Sequence, residues 1–349
     1  MKILFVNDYH VPQLYRGTEV NTHAMCQMLR HMGHDVSVIC ALKADGLLGF
    51  WSRVKLKAPP RPQWVTDQAA GYRTYRTWHV ARVLADVVRS AAPDVVVLQT
   101  GSEEVLEAAA KLSVPICLYF HFVPEQPAIP AFQQVTYMTN SLFCQRRVIE
   151  NFGIESTIVR PLVIPAHYRT AVDRAEVTAF AMTHIKGADI VLDLAKALPQ
   201  VPFRIFANQG SRMPVNDILF DRAKALPNVT LSAPQRSGGQ VYARTRVVLA
   251  PSRWEETWGR MATEAHVNDI PVLASNRGGL PESVGRGGLC LPVDAPIEVW
   301  RDALQTMFED ATAYARYQEE VRAQRSSPLI DPDAICGTFM AELEALLRR

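Results

Sequence analysis

Short runs of β-branched and aliphatic residues alternate along this chain with stretches whose apolar positions recur every three or four residues. That alternation is the mark of a parallel α/β sheet, whose strands are buried on both faces and so read as continuous apolar runs. Ile3 to Val6 is the first such run, and Asn7 to Arg16 reads as a loop. Thr18 to about Met32 carries Val20, Ala24, Met25, Met28 and Leu29 at helical spacing and ends at Gly33, a helix-stopping residue. Asp35 to Cys40 returns as a strand. Strands at Val95 to Leu98, Ile116 to Phe120 and Val135 to Met138, with helices over 79–91 and 102–112, complete an open sheet.

The pattern restarts after Arg160-Pro161-Leu162-Val163-Ile164-Pro165, where proline limits helix and favours extended chain. Strands are expected near Ala179 to Met182, Phe203 to Ala207, Val229 to Leu231, Val247 to Ala250 and Pro271 to Ala274, and helices at about 187–198, 215–226, 258–267 and 297–309. A length of 349 residues with 48% apolar side chains suits two well-filled cores. The expected division is a first domain over 1–162, a second over 163–325, and a C-terminal helical segment over 326–349 that crosses back to the first. Two similar α/β halves would face one cleft.

The 37 lysines and arginines nearly cancel the 35 acids, leaving a formal charge of +2 and no whole-protein field to hold nucleic acid. Cys26, Cys40, Cys117, Cys144, Cys290 and Cys336 stand singly, with no Cys-x-x-Cys pair, which fits a reducing cytosol. The apolar run after Lys2 is too short for a signal peptide, and no run of about 18 apolar residues could span a bilayer. A cytoplasmic protein is expected, with peripheral contact on the inner membrane face as its only lipid association.

Chemistry concentrates in Pro251-Ser252-Arg253-Trp254-Glu255-Glu256-Thr257-Trp258-Gly259-Arg260-Met261-Ala262-Thr263-Glu264-Ala265. Were the chain between Glu256 and Glu264 mostly helical, the two carboxylates would stand roughly 12 Å apart along the axis. They could then share neither one metal nor a close acid–base role, but could hold two ends of a long polar ligand while amides at the helix start, near Gly259 and Arg260, face an anionic middle. Sugar, diphosphate and ribose in line meet those demands. Asp331-Pro332-Asp333 superficially offers a metal-binding Asp-x-Asp, yet it stands just before the last helical pattern and reads as a cap.

This segment resembles the Glu-x7-Glu motif of the retaining nucleotide-sugar glycosyltransferases of family 4 (glycosyl transferases group 1). Lys2-Ile3-Leu4-Phe5-Val6, Gly17-Thr18-Glu19, Gly33-His34-Asp35-Val36, Pro93-Asp94-Val95-Val96, Lys186-Gly187-Ala188-Asp189 and Gly278-Gly279-Leu280-Pro281-Glu282 resemble the family's landmarks, in its order and over nearly the whole chain. The resemblance implies the GT-B architecture, two facing Rossmann-like domains with the acceptor side in 1–162 and the donor side in 163–325. It implies that Glu256 contacts the transferred sugar, Glu264 the ribose, and the backbone after Gly259, at Arg260 and Met261, the sugar and phosphates. Lys186 would neutralise the donor diphosphate, His121 would lie close to the reacting sugar, and Gly17 would let backbone approach the donor. No metal and no cofactor are implied; a nucleoside diphosphate sugar is the co-substrate, and the acceptor is a carbohydrate, lipid-linked or small molecule.

Two departures stand out. Arg16 occupies the first of the family's two loop glycines, and an arginine expected a few residues before Lys186 is absent from Phe180-Ala181-Met182-Thr183-His184-Ile185. Arg16 or Arg260 could replace that donor-site charge, each offering a planar fork to phosphate oxygens. Rival readings are an inverting transferase with His10 as general base, which Glu-x7-Glu disfavours, and a noncatalytic nucleotide-sugar or glycan-binding protein. No Gly-x-Gly-x-x-Gly follows the first strand, which disfavours a redox Rossmann protein. Finally, Phe50 to Trp78 interleaves Arg53, Lys55, Lys57, Arg61, Arg73 and Arg76 with Trp51, Trp64, Tyr72, Tyr75 and Trp78 against the single acid Asp67, a composition suited to an acceptor or membrane face.

Overall fold

The computed structural model describes residues 1–123, 128–180, 182–207, 214–235 and 238–349. The chain forms two compact units, Met1–Leu162 with Pro332–Arg349, and Val163–Asp331. In the first, the order is β1 (Lys2–Asn7), α1 (Gly17–His31), β2 (Asp35–Ala41), α2 (Gly46–Lys57), β3 (Val65–Asp67), β4 (Arg73–Thr77), α3 (Val80–Ala91), β5 (Val95–Gln99), α4 (Glu103–Ala110), β6 (Ile116–Phe120), β7 (Val135–Thr139), α5 (Leu142–Phe152) and β8 (Thr157–Ile158). The sheet runs β3-β4-β2-β1-β5-β6-β7-β8, parallel except where β3 pairs antiparallel with β4. Every residue of β5 is buried, as a central parallel strand requires. Val80, Val83, Leu84 and Val87 put the apolar face of α3 onto this sheet at three-and-four spacing. Ser141 caps α5 by accepting from the Cys144 amide at 2.9 Å, and Gly153, at a φ of 64°, ends it.

The second unit continues with β9 (Glu176–Phe180), α6 (Ala188–Ala197), β10 (Phe203–Phe206), α7 (Pro214–Lys224), β11 (Val229–Ser232), α8 (Gly238–Tyr242), β12 (Thr245–Ala250), α9 (Arg260–His266), β13 (Val272–Ser275), α10 (Leu280–Val284), β14 (Gly288–Leu291), α11 (Ile297–Glu309) and α12 (Ala311–Arg325). Its sheet, β11-β10-β9-β12-β13-β14, is wholly parallel. Its principal core joins Val177, Ala179, Phe203, Ile205, Val247 and Leu249 of the strands to Leu194, Trp300 and Leu304 of the helices. The last helix, α13 (Pro332–Leu347), returns to the first unit, where the Phe339 ring lies 6.1 Å from that of Phe5 and 6.3 Å from that of Tyr119.

Three sequence expectations are corrected here. The strand expected at 179–182 lies at Glu176–Phe180, because Glu176 is a buried strand residue whose charge is met by Arg204 at 2.5 Å; Ala181 lies outside the described residues. In the stretch 50–78, Tyr72, Tyr75 and Arg76 belong to the interior rather than to a surface. Arg76 is wholly enclosed, donating to Asp67 at 2.7 Å, to the Val11 carbonyl at 2.8 Å and to Gln13 at 3.2 Å. Burial is tolerable because these acceptors replace water around the guanidinium. The third correction concerns the spacing of Glu256 and Glu264: residues 256–259 are not helical, so the 12 Å axial rise does not apply.

Candidate active site

Strand β9 runs out into a short 3-10 turn, His184–Lys186, and Gly187 follows at a φ of 75°, a left-handed conformation that favours glycine. Glycine is needed for a second reason: a Cβ on Gly187 would land on the carbonyl of Pro251, at the end of neighbouring β12. The two strand ends are further tied by the Arg253 and Trp254 amides, both donating to the Ile185 carbonyl at 2.9 and 3.0 Å. Arg253 also grips Asp189, in the first turn of α6, through two parallel bonds of 2.6 and 2.7 Å. Burial pushes the Asp189 carboxyl up, but these bonds and the arginine charge outweigh it and hold the group below its ordinary range.

This close seam delivers Lys186 to Glu256, and their side chains form an ion pair at partly exposed positions. Ser252 Oγ stands 3.4 Å from the same Glu256 oxygen. The Glu256 backbone is pinned from the other side by the Gly278-Gly279 turn. The Gly279 amide donates to the Glu256 carbonyl at 2.6 Å. Gly278, at a φ of 59°, lies so close that a Cβ would stand 2.8 Å from the Glu256 amide nitrogen. The Gly-Gly turn that the sequence marked as a landmark is thus a backbone clamp on Glu256.

Beyond Glu256 the chain turns at Gly259, with a φ of 87°, where a Cβ would meet Leu280 Cδ2 at 2.5 Å. Helix α9 then begins. Arg260 and Glu264, one turn apart, pair at 3.2 Å. Arg260 also donates to Tyr168 Oη at 3.2 Å, while the Tyr242 hydroxyl donates to the other Glu264 oxygen at 3.0 Å. Burial drives the Tyr242 phenol well above its ordinary value, with the Glu264 charge adding to it, so the hydroxyl stays a donor. Glu264 is therefore an oriented carboxylate. The guanidinium of Arg260, a sequence candidate for the missing phosphate charge, is engaged in this network instead. Met261 is half-buried against the apolar cluster around Tyr242 and Ala262.

Other sequence-derived candidates belong to the first unit. His121 follows β6 and is almost enclosed, its Nε2 lying 2.8 Å from the Gln99 amide nitrogen and 3.5 Å from that of Asn21. The Leu162 amide donates to Asn21 Oδ1 at 2.7 Å, which turns the Asn21 NH2 toward the ring. Two side-chain amide nitrogens thus face Nε2 of His121 and hold the ring in place. Gly17 opens α1, and Arg16, extended at a φ of −121°, is the exposed residue before it. Burial raises the Glu19 carboxyl in the same turn above its ordinary range, though the α1 backbone and Arg16 act against it.

His10 does not suit the general-base role of the inverting alternative. It is fully buried, with Nε2 2.8 Å from the Tyr72 hydroxyl, which also lies 2.8 Å from His23 Nδ1. Burial first, then the charges of Arg76 and His23, lower its pKa to about 3, far from the working range of a base. Among the described residues no group of three or more His, Cys, Asp or Glu side chains could hold a metal.

Sequence reading missed Tyr168, Tyr242 and the Asp189–Arg253 fork. Asp189 and Arg253 stood within quoted motifs, and their pairing has the signal of an acid in one landmark and an arginine in the other. Tyr242 gives no such sign, since nothing local distinguishes a tyrosine that reaches Glu264 from one that fills a core.

Two parallel-sheet Rossmann-like domains, one carrying this Lys186–Glu256–Glu264 constellation, define an α/β protein of the GT-B fold class. Residues 181–324 match the family described as "Glycosyl transferases group 1", and residues 15–164 match "Glycosyltransferase Family 4", so both units carry glycosyltransferase-family domains. The D-inositol 3-phosphate glycosyltransferase of Corynebacterium glutamicum (strain R) is 37% identical over 81 residues, 23% of this chain and 19% of that relative. The chain thus spans about a fifth of the length of the curated relatives that it matches. A glycosyltransferase from Rickettsia africae ESF-5 aligns over 100% of this chain and 99% of its own, with a TM-score of 0.77 at 14% identity. Anabaena Alr3699/HepE, solved in complex with UDP and glucose, aligns over 99% and 100% with a TM-score of 0.74 at 20% identity.

Proposed function

We propose that this chain is a retaining glycosyltransferase that moves a sugar from a nucleoside diphosphate sugar to an acceptor hydroxyl without a metal. The observation that carries the reading is the seam that sets Lys186 against Glu256, with Glu264 oriented one helical turn into α9. Lys186 supplies a point charge for diphosphate oxygens, which gain charge as the bond from the sugar's anomeric carbon to phosphate oxygen breaks. Glu256 accepts hydrogen bonds from the sugar, and Glu264 accepts from ribose hydroxyls with its own geometry held by Arg260 and Tyr242. The acceptor oxygen attacks on the leaving-group side, and its proton passes to the departing phosphate oxygen, so atoms and charge balance without a covalent enzyme intermediate. His121, its ring held at Nε2 by the Gln99 and Asn21 amides, is assigned to the sugar's side of the reaction.

The match to a neighbour solved with UDP and glucose supports a uridine donor, and the D-inositol 3-phosphate glycosyltransferase relatives support a hydroxylated, phosphorylated acceptor. Release of nucleoside diphosphate from a panel of nucleotide sugars and acceptors, followed with wild type and Glu256→Gln, tests the reading. Acceptor-dependent release that falls on the order of 100-fold in the variant is expected. The binding-only alternative has one observation in its favour: Arg260 and Arg253 both face acids, leaving Lys186 itself paired. Tight nucleotide binding with no turnover across the panel would decide for it.

A further inference from the structure

Helix α2 buries the wrong side of its sequence for a helix that serves only the core. Its buried seam is Gly49, Ser52 and Leu56. Its largest apolar side chains lie outside: Leu47 is 80% exposed, Trp51 58%, Phe50 52% and Val54 43%. At 100° per residue these four fall within an arc of about 100°, directly opposite the buried seam. The rings of Phe50 and Trp51 meet edge to face at 5.4 Å and so form one apolar ridge.

The flanks of that ridge have a single sign. Arg53 and Lys57 border it on one side and Lys55 on the other, all exposed, and the helix contains no acid. The nearest acid before the helix, Asp45, has Lys43 at 3.7 Å. An open depression lined by Lys55, Pro59, Pro62 and Trp64 adjoins the helix's C-terminal end. Gly49 sits so tightly on the preceding loop that a Cβ would stand 2.5 Å from the Lys43 carbonyl oxygen, so the inner face is seated and the outer one is free of the unit's own packing.

From this geometry we infer that α2 is an in-plane membrane anchor that holds the first unit on an anionic lipid surface. An apolar ridge bordered on both sides by cations complements a surface whose apolar interior is bordered by anions, which is a bilayer of acidic phospholipid. Phe50 and Trp51 enter at headgroup level with Leu47 and Val54, while Arg53, Lys55 and Lys57 reach the phosphates. At 12 residues α2 is too short to span a bilayer, so the proposed attachment is to one face. This inference stands apart from the proposed transfer reaction and holds or fails independently of it.

Co-sedimentation with vesicles of phosphatidylglycerol and phosphatidylcholine, against phosphatidylcholine alone, tests it. Wild type should bind the anionic vesicles only and be released by 0.5 M salt. Arg53→Gln/Lys55→Gln/Lys57→Gln should weaken binding about 100-fold, given three lost cations. Phe50→Ser/Trp51→Ser should abolish it at an unchanged melting temperature, since both side chains are exposed. Absence of binding to phosphatidylglycerol vesicles at low salt would overturn the inference, as would equal binding by both variants. So would a stable dimer in analytical ultracentrifugation that falls apart in Phe50→Ser/Trp51→Ser, which would make the ridge a contact between copies.

Discussion

Lys186 and Glu256 neutralise each other where two strand ends meet, and a bound diphosphate would draw the lysine toward itself. Lys186→Ala should weaken nucleoside diphosphate binding by about 1.5–3 kcal/mol, the worth of a hydrogen bond to a charged group. Isothermal titration would read it. Glu264 and Arg260 form a different kind of pair: if Glu264 meets the ribose as proposed, Arg260 would act on nucleotide only by holding that carboxylate. Arg260→Ala and Glu264→Ala should therefore each raise Kd, yet the double variant should bind little worse than the worse single one. Additive losses would return Arg260 to direct phosphate contact. His10 carries a pH signature. Its folded pKa of about 3 lies below the unfolded value of 6.5, so between the two the unfolded chain holds more protons and stability falls as pH drops. His266, buried and lowered to about 4, acts in the same direction. The melting temperature should decline steadily below pH 6.5, and less steeply in His10→Asn.

Loops make the Lys186–Glu256 seam, while Arg260 and Glu264 stand on α9, and the glycines of those loops are steric requirements. Gly278→Ala should cost about 1–3 kcal/mol of stability, from its positive φ and its contact with the Glu256 backbone, and should impair transfer beyond that loss because it displaces Glu256. Arg76→Ala tests the other unit: Asp67 and the loop carbonyl of Val11 would lose their shared donor, at a cost of about 3–5 kcal/mol in denaturant unfolding. These two sites also show what a sequence discloses. Lys186, Glu256 and Glu264 could be nominated from the sequence because each sits in a short motif read along the chain. The Lys186–Glu256 contact, 70 residues apart, could not, because it depends on β9 and β12 lying side by side. Arg76 read as a surface charge because enclosure of a guanidinium is decided by acceptors from two other segments, Asp67 on β3 and the Val11–Gln13 loop. Helix α2 was hidden for the opposite reason: with Gly49 and Ser52 on its buried side and aromatics outside, periodicity gives no core face to recognise.

At the scale of the whole molecule, the chain crosses from one α/β unit to the other near Leu162 and returns for α13, so each unit's sheet is completed within its own core. The two units divide the candidate residues: His121, Gly17 and Arg16 in the first, and Lys186, Glu256, Gly259, Arg260, Met261 and Glu264 in the second. Front-side transfer is the claim that binds them into one function. The most direct test is proton NMR of the product formed from a donor of known α configuration, read at the anomeric proton while the nucleoside diphosphate is released. Retention, seen as the small coupling of an α-gluco product, is expected. A β product from the same donor would contradict the account, because it would require attack from the opposite face of the sugar and a general base, a role that the buried His10 does not suit.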